Sequence, residues 1–236
     1  MSIAELLWNI ALMLLCYLYV VIVILVSGRF EKAAHVSRKT SRKFLHIMIG
    51  NLPFVIPFFT ISFFPGFVAT PFIFLTLLAS PYSPFKNIIL RMQRLSDITE
   101  EGHHLGLVFY AVSYTCLAFM FPSRAYVIAA GILPMAYGDA AASIVGEKFG
   151  KEKYKLVTLK SLEGSAAMFL VSLASLAVGM VFFSFFYSYS LVEKIVAALA
   201  AAAAATFVEG FSPKGFDNVT VPVFSVLVFL MYSGGV

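Results

Sequence analysis

Eight long apolar stretches alternate with short polar ones along the chain, over residues 6–27, 44–60, 63–80, 105–121, 126–145, 162–186, 195–211 and 219–232. A helix needs roughly 20 mostly apolar residues to cross a bilayer, so each stretch predicts a membrane-spanning helix. The second stretch is broken by Pro53 and Pro57 and is separated from the third only by a Pro/Gly-punctuated hairpin around residues 61–66. One of that pair could therefore be re-entrant, which would leave seven crossings. The nearly all-alanine run 197–205 predicts a helix at the bundle centre, because small side chains let membrane helices approach closely. The expected fold is all-α: a polytopic transmembrane helix bundle of about eight spans, built as a single integral membrane domain over residues 1–236. No internal repeat of the inverted-repeat transporter kind is visible.

Composition sharpens this picture. The chain is 61% hydrophobic and 12% charged, about half the charge of a soluble domain, which excludes a water-soluble globule. Any chemistry must sit at the membrane face, on helix ends and short loops. Cys16 and Cys116 both fall inside apolar stretches and no CxxC pair occurs, so neither a disulfide framework nor a zinc site is supported. The first apolar stretch has no basic residues before it and is too long for a signal-peptide core, so it is read as a retained span.

The net charge of +5 invites a nucleic-acid reading, but no basic stripe with interleaved aromatics stands out. The cations instead follow the membrane. Under the eight-span count, fifteen of the 17 Lys and Arg residues share one face: Arg29, Lys32, Arg38, Lys39, Arg42 and Lys43, then Lys86, Arg91 and Arg94, then Lys148, Lys151, Lys153, Lys155 and Lys160, and finally Lys214. Arg124 and Lys194 lie near the other. Basic residues in short loops stay cytoplasmic, so this face is expected in the cytosol and both termini on the non-cytoplasmic side.

Acidic residues are scarce, twelve in all, so their positions carry information. Glu5, Glu31, Glu147, Glu152 and Glu193 lie at span edges or among lysines, where a solvated partner role suffices. Asp139 interrupts the fifth apolar stretch, where a carboxylate costs several kcal/mol unless it faces a polar cavity or a partner. On a helix, Asp139, Ser143 and Gly146 share one face at i, i+4 and i+7, and the small residues leave room for a phosphate. Beyond them come Lys148, Gly150 and Lys151, then Lys160, Ser161, Glu163 and Gly164 at the entrance of the sixth span, whose N-terminal N–H groups would suit an anion. Lys153 and Lys155, in the same loop, need do no more than obey the positive-inside rule. Arg42, Lys43 and His46 open the second span on the same side, with Arg42 and His46 one turn apart. Glu209 closes the seventh span, and Asp217 and Asn218 open the eighth. Such oxygen ligands suit magnesium, which takes carboxylates plus substrate phosphates; the bland alternative for Asp217 is a helix N-cap. The run Asp97, Glu100, Glu101, His103, His104 matches no zinc spacing and reads as a loop with at most one functional acid, Glu101. Walker A, GxGxxG and GxSxG elements are absent.

Arg42-Lys43 with His46, Gly138-Asp139-Ala140-Ala141-Ala142 with Gly146 and Gly150, Lys160-Ser161-Leu162-Glu163-Gly164, and Glu209 with Asp217-Asn218 and Pro222 occur here in that order. Together they resemble the CTP-dependent polyprenol kinases: dolichol kinase, phytol kinase and the yeast-type diacylglycerol kinase. The short chain looks like a prokaryotic, archaeal-type minimal member. The resemblance implies transfer of the γ-phosphate of CTP to a membrane isoprenoid alcohol at the cytosolic face, with Mg2+ or another divalent cation. It further implies that Asp139, Lys160, Arg42, Lys43 and His46 serve catalysis. Nucleotide contact would come from Gly138, Ser143, Gly146, Lys148, Gly150, Lys151, Ser161, Glu163 and Gly164, and metal contact from Asp139, Glu209, Asp217 and Asn218. The expected partners are the lipid alcohol, CTP and membrane lipids. The middle block is also similar to CDP-diacylglycerol synthase, but that family's Pro-Gly-His-Gly-Gly and Asp-Arg-x-Asp elements are missing. A transporter using Asp139 and Glu209 as an ion path would require polar residues continuing to the far face, where the spans are apolar and aromatic.

Overall fold

The structure, a computed structural model, describes residues 2–33, 38–80, 105–213 and 215–234. The loop 81–104, with Glu101 and the basic Lys86, Arg91 and Arg94, lies outside the described residues, as does Lys214. The described helices are α1 (Ile3–Ala33), α2 (Arg38–Ile49), α3 (Phe64–Ala79), α4 (Gly106–Met120), α5 (Ala125–Leu133), α6 (Asp139–Phe149), α7 (Leu162–Phe183), α8 (Leu191–Phe211) and α9 (Asp217–Tyr232). Four helical segments are long and apolar enough to cross a membrane: Ile3–Arg29, Ala125–Phe149, Leu162–Phe183 and Leu191–Phe211. Phe64–Leu78, Gly106–Met120 and Asp217–Tyr232 are shorter apolar helices. The chain is an all-α integral membrane protein.

The second apolar stretch does not form one continuous helix. α2 stops at Ile49, the chain turns at Gly50 and Asn51, and Leu52–Phe58 continues as a 3-10 helix holding Pro53 and Pro57. Proline lacks an N–H and clashes with the preceding turn, which is why the break falls here. Asn51 fixes it in place: its side-chain Oδ1 accepts from the Tyr137 hydroxyl at 2.7 Å, and its amide donates to Met48 O at 3.2 Å.

The segment Ala125–Phe149 is the innermost of the four long ones. Its apolar window is 72% buried, against 22–33% for the other three long helices. Between α5 and α6 the residues Pro134–Gly138 widen into a π turn, in which the Asp139 N–H donates to Pro134 O. Such turns are rare and recur at functional sites; here the turn delivers Asp139 to the start of α6. The alanine run 197–205 does not put α8 at the bundle centre; it buries one face, where Ala197, Ala198, Ala201, Ala202 and Ala205 are wholly enclosed against α7 and α9 while Leu199 and Ala203 are exposed. α8 also gives the bundle its two ends, because Lys194 and Glu209 stand about 22 Å apart along it. At the Lys194 end the ammonium donates to Ser233 O at 2.7 Å and lies 5.4 Å from the Tyr126 ring and 5.6 Å from the Tyr189 ring.

One element is absent from the all-helical expectation. Lys153–Lys155 (β1) and Leu159–Ser161 (β2) form an antiparallel hairpin in which Lys153 faces Ser161 and Tyr154 faces Lys160. Reading the segment by its charge hid the alternation of exposed Lys153 and Lys155 with half-buried Tyr154, the period of a strand.

Gly138 marks the tightest crossing of the central span with α7. A Cβ there would run into Ser172 Oγ and lie 2.7 Å from Met168 Sδ. Gly138→Ala is therefore expected to destabilise the protein by about 1–3 kcal/mol through overpacking, seen as a lower unfolding midpoint in detergent. The Ser172 hydroxyl is buried without a hydrogen-bond partner among the described residues, so adding Ser172→Ala should recover much of the loss. An unchanged midpoint in Gly138→Ala would refute this packing account.

Candidate active site

Two ion pairs organise the end of the bundle opposite Lys194. Lys43 Nζ, from α2, pairs with Asp139 Oδ2 at the start of α6. Lys160 Nζ, from β2, pairs with Glu209 Oε1 in the last turns of α8. The Glu209 side chain is only 3% exposed, so a charge of opposite sign is a condition of its burial. Burial alone would pull the Lys160 ammonium down, but the Glu209 carboxylate outweighs it and holds the group above its usual range. Lys160 thus remains a cation at any physiological pH.

Between these pairs opens a cleft of about 520 Å³. Arg42, Lys43, Lys153 and Lys160 supply cations to its wall, Asp139, Glu147, Glu209 and Asp217 supply carboxylates, and Ser143, Gly146, Gly150, Ser161 and Gly164 line it. Small residues are needed on this wall for steric reasons. A Cβ on Gly164 would sit 3.0 Å from Ala142 O and 3.3 Å from Gly146 Cα, and one on Gly150 would meet Ser161 Oγ at 2.7 Å. α6, α7 and the hairpin can close on one another only without those side chains.

A smaller recess adjoins the cleft. Arg42, Lys43, Asp139 and Asp217 line both, and His46, Gly106, Leu107 and Asn218 complete the recess. His46 is buried with its ring edge-on to Tyr110, centroids 4.4 Å apart, and its Nε2 has no hydrogen-bond partner among the described residues. Asp217 Oδ1 accepts from the Asn218 N–H at 2.9 Å, and the Ser113 hydroxyl donates to Asn218 O at 2.6 Å, tying α9 to α4.

Several residues singled out by sequence do not reach the cleft wall. Gly138 serves the α7 crossing, and Lys148 and Lys151 are exposed outside it. Glu163 clamps the loop to the helix: its Oε1 accepts from the backbone N–H of Lys151 at 3.0 Å and of Glu152 at 3.3 Å. The expectation of an open α7 N-terminus for an anion also changes. The Leu162 N–H donates to Glu152 O at 2.9 Å and the Gly164 N–H to the capping Ser161 Oγ at 3.1 Å, so those donors are already engaged. Conversely, Thr158, Ser165 and Ser212 line the cleft without having been singled out. The Thr158 hydroxyl is buried with no partner among the described residues. Nothing separates such hydroxyls from ordinary loop and helix residues in the sequence.

Among the described residues no group of three or more His, Cys, Asp or Glu side chains is set to hold a metal ion. Asp139 and Asp217 do bring two carboxylates to one recess beside the cations. That complement fits magnesium, which takes one or two carboxylates and completes its shell with phosphates and water.

Known proteins resemble this chain over most of its length. A phytol kinase of Synechocystis sp. is 31% identical over 214 residues, 89% of this chain and 86% of the relative. A probable chloroplastic phytol kinase of Glycine max is 30% identical over 204 residues, 81% of this chain and 62% of the relative. A dolichol kinase of Arabidopsis thaliana is 25% identical over 175 residues, 65% of this chain and 29% of the relative. The chain thus spans less than two thirds of the two plant proteins. No protein-family model matches the chain, and no solved structure does. With nearly a third of positions shared across most of both chains, and with the motif blocks of its sequence gathered around one cleft, the protein belongs to the family of phytol and dolichol kinases.

Proposed function

We propose that the protein is a lipid kinase that transfers the terminal phosphoryl group of a nucleoside triphosphate to the primary hydroxyl of a membrane isoprenoid alcohol. CTP is the donor the family resemblance implies. The observation that carries the reading is the cleft itself, where four cations and four carboxylates line a space of about 520 Å³ at one end of an apolar bundle. Phosphoryl transfer asks a protein mainly to position reactants and neutralise developing charge. Lys43, Arg42 and Lys160 would hold the phosphate oxygens, beside the close-packed glycine wall of Gly146, Gly150 and Gly164.

In the transfer, the alcohol oxygen bonds to the terminal phosphorus as the bond to the bridging oxygen breaks. The nucleoside diphosphate leaves with that electron pair. Asp139 is placed to accept the hydroxyl proton or to ligate the cation, with Lys43 holding its carboxylate in position. A divalent cation held by Asp139 and Asp217 would supply charge neutralisation across the donor phosphates. Because the cations gather at this end of the bundle, the positive-inside rule supports a cytosolic cleft and termini on the other side.

The test is to incubate purified protein with γ-labelled CTP or ATP, magnesium and a panel of phytol, geranylgeraniol, dolichol and diacylglycerol. Label should arrive in an isoprenoid alcohol and arrive fastest from CTP. A CDP-linked lipid product would point instead to a cytidylyltransferase, and absence of label from every lipid would remove the kinase reading.

A further inference from the structure

An apolar pocket of about 70 Å³ lies between α1, α2, α3 and α4, walled by Ile24, Leu45, Phe72, Leu75, Ala111 and Tyr114. It is not part of the catalytic cleft, and the recess lies between the two, sharing wall residues with each. His46 and Leu107 line both the apolar pocket and the recess, whereas Asp139 and Asp217 line both the recess and the cleft. His46 is 7% exposed and its Nε2 lacks a hydrogen-bond partner among the described residues. A buried polar atom left unpaired is costly, and this one stands where hydrocarbon walls give way to carboxylates and cations. Leu75 at the pocket wall is 41% exposed, so the wall on that side is also the apolar flank of the bundle.

We infer that this pocket is the acceptor subsite: it takes the hydrocarbon next to the alcohol carbon of the lipid substrate, and His46 Nε2 donates a hydrogen bond to the alcohol oxygen, leaving the O–H to Asp139. The inference rests on the kinase reading for the alcohol's identity as acceptor. It adds where that alcohol enters and what holds its hydroxyl. The tail comes in laterally from the bilayer past Leu75 on α3 while the nucleotide comes from the polar side, and the two meet at Asp139. Ordering of the hydroxyl by His46 leaves Lys43, Arg42 and Lys160 to the phosphates.

The experiment uses the full chain in detergent with phytol carrying a diazirine in its tail near the alcohol carbon, photolysed without nucleotide. Label is expected on the α3 and α4 peptides that hold Phe72 and Leu107. Ala111→Phe, which fills the pocket from α4, should remove most of that label and raise KM for phytol about tenfold by excluding buried hydrocarbon, with CTP affinity unchanged. Ala69→Leu narrows the same pocket from α3 and should act likewise, so a folding failure of one variant leaves the other decisive. His46→Ala should raise KM for phytol, and His46→Gln, which keeps a hydrogen-bonding group, should recover part of it. Label that persists in both filled variants, or that falls on other helices, overturns the subsite. Wild-type protein that labels in the pocket but phosphorylates no alcohol would keep the subsite and remove the kinase reading. Active wild-type protein with an unlabelled pocket would remove the subsite alone.

Discussion

Asp139→Asn should lower lipid phosphorylation by about 10³-fold, the scale of losing a positioned acid–base group, and leave the protein folded. The carboxylate sits at the first position of α6, paired to Lys43, on a wall that also carries Asp217 and Lys160. Asparagine keeps the volume and an oxygen that can accept from the Lys43 ammonium, but it neither takes a proton nor offers a charged ligand to a cation. The Lys43 and Asp139 side chains are 10% and 15% exposed and border an open polar cleft, so the unbalanced ammonium can be hydrated in the variant. The expected unfolding shift is therefore well short of the loss of about 3–5 kcal/mol for breaking a fully buried pair. Turnover with labelled CTP, read beside a detergent unfolding curve, checks both halves. Near-normal turnover would end the assignment of Asp139.

Lys160→Met should show the opposite balance, with a large loss of stability as well as of activity. Glu209 is almost fully enclosed, so removing its partner strands a carboxylate at a cost of about 3 kcal/mol, the low end for a buried pair because Lys160 itself is partly exposed. The double variant Lys160→Met/Glu209→Gln removes both charges and should regain most of that stability. It should stay inactive, because the lost cation also faced the phosphates. If the double variant turns over as fast as Glu209→Gln alone, Lys160 is there to neutralise Glu209 and has no part in transfer.

These two residues also show how far the chain could be read without coordinates. Asp139 stood out because a carboxylate within an apolar stretch needs a polar cavity or a buried partner, and the structure supplies both, the cleft wall and Lys43. The i, i+4, i+7 spacing placed Ser143 and Gly146 beside it, and both line the cleft. Glu209 was visible as an acid at a span end, but its pairing with Lys160, 49 positions earlier, was not, because nothing local records which helix end meets which hairpin. The same blindness applies to Gly138 and Glu163. Both belong to the motif blocks, yet one is spent on a helix crossing and the other on holding a loop.

The sequence by itself determined that the chain is a membrane-embedded helical protein, which segments are apolar enough to lie in hydrocarbon, and which few charged residues lacked an ordinary reason to be there. Those are one-dimensional properties, since the bilayer sorts residues by the transfer free energy of each short stretch. Tertiary structure alone decided that Pro134–Gly138 widens to deliver Asp139, that Lys43 and Lys160 each answer a different carboxylate, and that His46 bridges an apolar pocket and a polar recess. Pairings between distant segments depend on how helices cross. That is set by packing volumes at positions such as Gly138, Gly146 and Gly164, where the partner across the contact is as decisive as the residue itself.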